Sequence, residues 1–267
     1  MAAHTLSKNF WEGWHLFGPP IIPILETVED FMSPVGEFGS DWIIFNGQGH
    51  YQNLELNLGT GYYLALNNHS TLFIDGDPIT SDNLNLADIN LEKGWNLVSH
   101  PLVSTVSKTE LIIVDDGEEY SWNDAVFWGL VSPTLYSWND NSYESLTNLT
   151  VWSAFWINTS RELTVKVRPH LHSEGSARID DNTWSMMISA STEDGLTGGD
   201  FVQMSLKDNA NDAFTYGEDE YDHPNPAMDS YIDLYFDKNE WLGTTDERGI
   251  MVDNPYFAHD VRSLSSD

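Results

Sequence analysis

Two stretches of the chain share one pattern. "FWEGWHLFGPPII", Phe10 to Ile22, returns as "LEKGWNLVSHPLV", Leu91 to Val103. Gly13-Trp14-x-Leu16 matches Gly94-Trp95-x-Leu97, and Pro20 matches Pro101. A duplicated segment constrains a fold more than an isolated motif does, because both copies must form the same unit. The match continues through "WIIFNGQGHY" and "TLYSWNDNSY", then through "LGTGYYLALN" and "TVWSAFWINTS", and closes with "STLFIDGD" and "RELTVKV". Copy two is longer, by roughly eleven residues on counting between matched positions, as repeats that differ by a loop insertion are. The extra residues are expected within Asp116 to Pro133. Trp14 and Trp95 then read as aromatic anchors of the first strand in each copy, with Leu16 and Leu97 on the same face.

The rest of the text favours strands. Apolar runs are short, rich in β-branched and aromatic residues, and broken by Asn-Gly, Asp-Gly and Gly-Gly pairs. "ELTVKVRP" alternates strictly, with Leu163, Val165 and Val167 on one side, as a half-buried strand must. Helical periodicity is nearly absent. The predicted class is all-β: two related small β-barrel or sandwich repeats, then a β-sandwich. Expected boundaries are 1–88, 89–169 and 170–267, with "RPHLHSEGSARIDDN" as the polar linker before the third segment.

These residues resemble a known family of modules. "GWNLVSHPLV" followed by "GTGYYL" is similar to a repeat found in large bacterial secreted and cell-surface proteins, beside glycoside hydrolases, peptidases and adhesion domains. The third segment resembles a second module of such proteins. Its matching positions are Ala213, Asp219, Tyr221-Asp222-His223-Pro224-Asn225-Pro226, the strand Tyr231 to Phe236, Trp241 and Asp260-Val261-Arg262. The resemblance implies an extracellular or cell-surface location and an accessory role alongside other domains of a parent protein, and no enzyme core. It also implies further strands after Asp260-Val261-Arg262, so the last sandwich is expected to be cut short, with an open edge that a strand-pairing partner would fill.

Charge narrows the partners. Only 11 Lys and Arg oppose 42 Asp and Glu, a net charge of −31. Such a surface repels phosphate backbones, which excludes nucleic acid, and disfavours anionic lipid. No apolar run approaches the ~20 residues of a membrane helix, so no membrane insertion is expected. No signal peptide is legible, and "MAAHTLS" reads as the start of an excised fragment. With no cysteine, disulfides and thiolate metal sites are out.

Three groups of residues carry chemistry. The copy-two insertion offers Trp122, Asn123, Asp124 and Trp128, beside the turn with Trp138 and Asp140. Flat aromatic faces with amides and carboxylates nearby suit a polysaccharide or glycan; the alternative is a loop packing its own aromatics. The acidic loop offers Asp208, Asp212, Asp219 and Asp222 as oxygen ligands for a structural calcium, against the reading of a solvated turn. His170 and His172, with Glu174, form a weaker zinc-type pair. Gly-x-Ser-x-Gly, P-loop and His-Glu-x-x-His motifs are missing, so a non-catalytic binding module is expected, with a structural spacer or strand-exchange module as the alternative.

Overall fold

The computed structural model describes residues 4–24, 27–47, 54–139, 142–168, 182–192, 198–226 and 230–264. They are all-β and divide into two compact units. The first comprises Met1–Asn123, Thr134–Asp140 and Glu144–Ser173, and so holds copy one and most of copy two. The second comprises Asp124–Pro133, Asn141–Tyr143 and Glu174–Asp267.

Copy one runs β1 (His4–Phe10), β2 (Gly13–Phe17), β3 (Ile22–Pro23), α1 (Val28–Met32), β4 (Trp42–Asn46), β5 (Tyr62–Leu66) and β6 (Ser70–Asp77). Copy two runs β7 (Asp88–Leu91), β8 (Gly94–Ser99), β9 (Val106–Ser107), β10 (Ile112–Asp115), β11 (Glu118–Ser121), α2 (Trp122–Phe127), β12 (Leu135–Asn139), β13 (Ser142–Leu146), β14 (Asn148–Leu149), β15 (Ala154–Thr159) and β16 (Leu163–Lys166). Each copy builds two sheets, and the sheets match. Copy one has β2-β5-β4 and β1-β6-β3; copy two has β8-β15-β12-β13 and β7-β16-β10-β11, with β9 paired to β14. None of these sheets closes into a barrel among the described residues.

The repeat holds to the level of single bonds. β2 opposes β5 with Gly13 across from Leu66, and β8 opposes β15 with Gly94 across from Thr159. Thr27 caps α1, its hydroxyl accepting from the Asp30 N–H; Ser107 caps the equivalent short turn Lys108–Glu110, its hydroxyl accepting from the Thr109 N–H and its own N–H donating to the Glu110 carboxylate. The Val28 N–H donates to the Leu54 carbonyl at 3.0 Å, and the Lys108 N–H to the Thr147 carbonyl at 2.9 Å. After that turn the copies diverge. The additional elements β11 and α2 lie within the stretch where the sequence places the insertion, and β10 ends immediately before it.

The two copies interlock reciprocally. Phe17 bridges Ser153, and the matching Val98 bridges Thr60. The Gly18 N–H donates to the Trp152 carbonyl at 3.3 Å, while the matching Ser99 N–H donates to the Gly59 carbonyl at 2.9 Å. A contact in which i meets j and the counterpart of i meets the counterpart of j is what a two-fold relation produces. Close approach demands small residues. A Cβ on Gly18 would lie 2.1 Å from the Ser99 Cβ, and one on Gly61 would lie 2.8 Å from Leu97 Cγ. At the centre the indole N–H of Trp156 donates to the Tyr63 hydroxyl at 3.1 Å.

Trp14 and Trp95 are half-buried. Each leans on an aromatic of its own copy, Trp14 on Phe45 at 6.4 Å and Trp95 on Tyr136 at 5.9 Å. His100, in the same stretch as Trp95, is fully buried, and its Nε2–H donates to the Ser104 carbonyl. In both copies the Trp of Gly-Trp-x-Leu thus packs on an aromatic of its own copy. The deeper anchor is Trp152. It carries φ 70, a left-handed backbone that a bulky residue adopts only under constraint, at the position matching Gly59, φ 79. Its side chain lies in the copy-one core with Phe10 and Phe31.

The second unit contains one mixed sheet. Its strands are β17 (Asn182–Ala190), β18 (Asp200–Lys207), β19 (Glu220–Tyr221), β20 (Phe236–Asp237) and β21 (Tyr256–Ser263). The order is β17-β18-β21-β19, with β20 also on β21; β18 and β21 are parallel and the other pairs antiparallel. Phe214, Tyr216, Trp241, Ile250, Val252 and Phe257 form its core.

If Trp152 links the copies as described, Trp152→Ala lowers unfolding free energy by about 3–5 kcal/mol, and the left-handed backbone strain remains because alanine keeps the Cβ. Trp14→Ala, at a half-buried site, costs clearly less. Urea denaturation of both variants checks the order, and equal losses would contradict it.

Candidate functional site

One cluster of metal-ligand type forms among the described residues: Asp200, Asp222 and His223, with one ligand atom from each lying within 4.8 Å of the others. Asp200 opens β18, and His223 lies in the Tyr-Asp-His-Pro-Asn-Pro run. Asp200 Oδ1 accepts from the Phe201 N–H at 2.8 Å and sits 3.1 Å from His223 Nδ1; Oδ2 accepts from the Leu234 N–H at 2.9 Å. The His223 ring is 5 % exposed and held between Tyr143, stacked at 5.1 Å, and Phe201 at 4.8 Å. The Tyr143 hydroxyl donates to the Pro224 carbonyl and fixes that stack. A cavity of about 10 Å³, room for one ion or water, is lined by Tyr143, Asp200, His223 and Asp233 among others.

The electrostatics follow from crowding. Burial, then the charges of Asp233 and Asp200, push the Asp222 carboxyl up to about 8. A divalent cation would relieve that repulsion. Two carboxylates and an imidazole suit Zn²⁺ or Mn²⁺, since Ca²⁺ prefers oxygen ligands throughout.

The four aspartates expected as a calcium set do not converge. Asp208 is exposed. Asp212 Oδ1 accepts from the Ser263 N–H at 2.9 Å. Asp219 is buried, with Oδ2 accepting from the Thr215 N–H at 2.8 Å and Oδ1 from the Val261 N–H at 2.9 Å. Both oxygens serve the backbone, so this carboxyl joins a loop to β21. Burial pushes it up to about 7 against those two bonds. Only Asp222 joins the cluster. Asp200 and His223 escaped sequence reading because 23 positions separate them and a lone Asp at a strand start carries no spacing signal.

The aromatic set also divides. Trp122 is 2 % exposed and Trp138 is 5 % exposed, so neither offers a ring face to a ligand. Trp122 begins α2 with its ring 5.9 Å from the Lys108 ammonium, and Trp138 lies in β12, an interior strand of its sheet. Asp140 lies outside the described residues, as do His170, His172 and Glu174. Asn123 is exposed. Asp124, Phe127 and Trp128 are exposed together, Asp124 and Trp128 one turn apart. Trp128 is 56 % exposed and meets Phe127 edge to face at 5.2 Å. The chain leaves α2 by a Schellman motif: the Leu130 N–H donates to the Ala125 carbonyl, the Gly129 N–H to the Val126 carbonyl, and Gly129 takes φ 65. Arg248, paired with Asp246 at 3.0 Å, donates to the Phe127 carbonyl at 2.8 Å and holds this corner.

Comparison with protein-family models, with curated proteins and with solved structures finds no match to the chain.

Two outcomes follow. Asp219 holds a proton when folded that the unfolded chain has released between pH ~4 and about 7. Its contribution to stability is therefore largest below the ordinary carboxylate pKa and declines as pH rises to about 7, by on the order of 4 kcal/mol at most. Denaturation at pH 5 and pH 8 in EDTA reads this, and Asp219→Asn flattens the slope. Separately, Zn²⁺ or Mn²⁺ at about a hundred times its Kd raises stability at pH 8 by ~2.7 kcal/mol, an effect lost in Asp200→Ala. An unchanged midpoint with either ion rejects the cluster as a metal centre.

Proposed function

We propose that the chain is a non-catalytic binding or accessory module of a bacterial secreted or surface protein, and that its ligand is a glycan. The observation that supports this most is the corner at the end of α2. The insertion absent from copy one presents Trp128 and Phe127 to solvent beside Asp124. Arg248 and the Schellman motif hold that corner in place. A rigid ring with a carboxylate one helical turn away matches the apolar face and hydroxyl rim of a sugar. The chain's strong negative charge favours a neutral or cationic glycan over an anionic one. A divalent ion at Asp200, Asp222 and His223 would then be structural, tying the start of β18 to the Tyr-Asp-His-Pro run.

A second reading, a spacer without a small ligand, draws support from the burial of Trp122 and Trp138, which leaves a smaller aromatic surface than the sequence advertises. A glycan array separates the two. On the first reading Trp128→Ala weakens binding tenfold or more, roughly what a central aromatic contact supplies, and leaves the melting temperature unchanged. Trp122→Ala instead costs ~3–5 kcal/mol of stability through a core cavity. Absence of binding to every glycan, or binding indifferent to Trp128→Ala, favours the spacer.

A further inference from the structure

The sheet of the second unit has two unlike edges. At one, β19 and β20 are two residues each and β19 pairs with a register shift. Short strands and irregular pairing are how folds prevent edges from recruiting other chains. At the other, β17 runs nine residues, Asn182 to Ala190, and among the described residues pairs on one side only, with β18. Its text, Asn-Thr-Trp-Ser-Met-Met-Ile-Ser-Ala, holds no charge and no proline. Among the outer strands of the other sheets, β1, β11 and β13 carry Lys8, Glu118 with Glu119, and Glu144, while the neutral outer strand β4 is only five residues long.

β17 is also apolar where it faces solvent. Trp184 is 45 % exposed, Met186 40 %, Met187 60 % and Ile188 48 %. Trp184, Met186 and Ile188 share one face, where they stand opposite Leu206, Met204 and Val202 of β18. Three apolar cross-strand pairs thus form a continuous patch running to the open edge.

From these observations we infer that β17 is a self-association edge that pairs antiparallel with β17 of a second copy of this chain. The charge distribution selects that partner. At a net charge of −31, two copies repel over most of their surfaces, and a nine-residue neutral strand lets them approach. The geometry is self-complementary as well. An antiparallel edge offers the same alternation of N–H and C=O to its own copy, about a two-fold axis. With the axis through Met186 and normal to the sheet, Trp184 stands across from Ile188 of the other copy and Met186 meets its own counterpart. The apolar face then continues across the junction. This inference is independent of the glycan reading, which involves a different surface.

Sedimentation velocity of the full chain tests it. The expected result is a reversible monomer–dimer equilibrium with a Kd on the order of 10–100 µM, as a small interface gives. The dimer fraction should rise with added salt, because salt screens the mutual repulsion. Met186→Lys opposes two ammonium groups at the axis and should leave a folded monomer at every concentration, with folding checked by circular dichroism. The chain has no cysteine of its own. Met186→Cys should therefore cross-link to a covalent dimer on mild oxidation, whereas Ser185→Cys, which would face Met187 of the other copy, should not. A chain that stays monomeric at high concentration and high salt overturns the proposal, as does a dimer that survives Met186→Lys. Monomeric behaviour combined with binding of an unrelated extended peptide along β17 would assign the edge to a foreign strand and overturn it too.

Discussion

The first unit depends on the reciprocal backbone contact between its two copies. Phe17 meets Ser153 and Val98 meets Thr60, with the flanking N–H groups of Gly18 and Ser99 donating across to the Trp152 and Gly59 carbonyls. Each copy offers only small sheets of its own. A three-stranded sheet with one apolar face gains stability by packing against another, and two copies of one unit supply matching faces. The symmetry is broken at one point. Where copy one has Gly59, copy two has Trp152, and the indole fills the copy-one core. The contact is thus symmetric in the Gly18 and Ser99 backbone bonds and one-sided in its packing.

The second unit shows how an acidic chain with few cations buries carboxylates. Asp200 and Asp219 each accept two or more hydrogen bonds, mostly from backbone N–H groups, and so act as loop fasteners. Asp260 instead draws in two of the scarce cations, Lys238 at 2.7 Å and Arg262 at 2.8 Å. Burying a carboxylate is tolerable only with such partners. Desolvation still outweighs the hydrogen bonds at Asp219, which is why its proton is retained toward neutral pH. At Asp222 neighbouring carboxylates add to the burial, and the same crowding makes that cluster attractive to a cation.

Much of the fold was legible from short-range text. The duplicated Gly-Trp-x-Leu, the alternation in "ELTVKV" and the turn dipeptides pointed to strands and to their recurrence, and α2 falls within the stretch marked for the insertion. The candidate sites were harder to read. Six aromatic and polar residues around the insertion looked alike as text, yet Trp122 and Trp138 lie inside while Trp128 lies outside. Burial depends on which strands flank a residue, and β12 becomes interior only once β13 and β15 are beside it. Among the acidic residues, dense spacing suggested convergence, but Asp219 points at backbone N–H groups and Asp212 caps the end of β21.

The sequence by itself determined that the chain is all-β, that it carries a duplicated strand pattern and that copy two holds an insertion. These are consequences of local periodicity and turn chemistry, which act over a few residues. Only the tertiary structure decided that the copies lock reciprocally and that Trp152 crosses between them. It also decided that Asp200 meets His223, and that β17 is, among the described residues, a long neutral edge. Those outcomes rest on contacts between residues far apart in the chain, and such contacts are set by packing and desolvation, which no local pattern encodes.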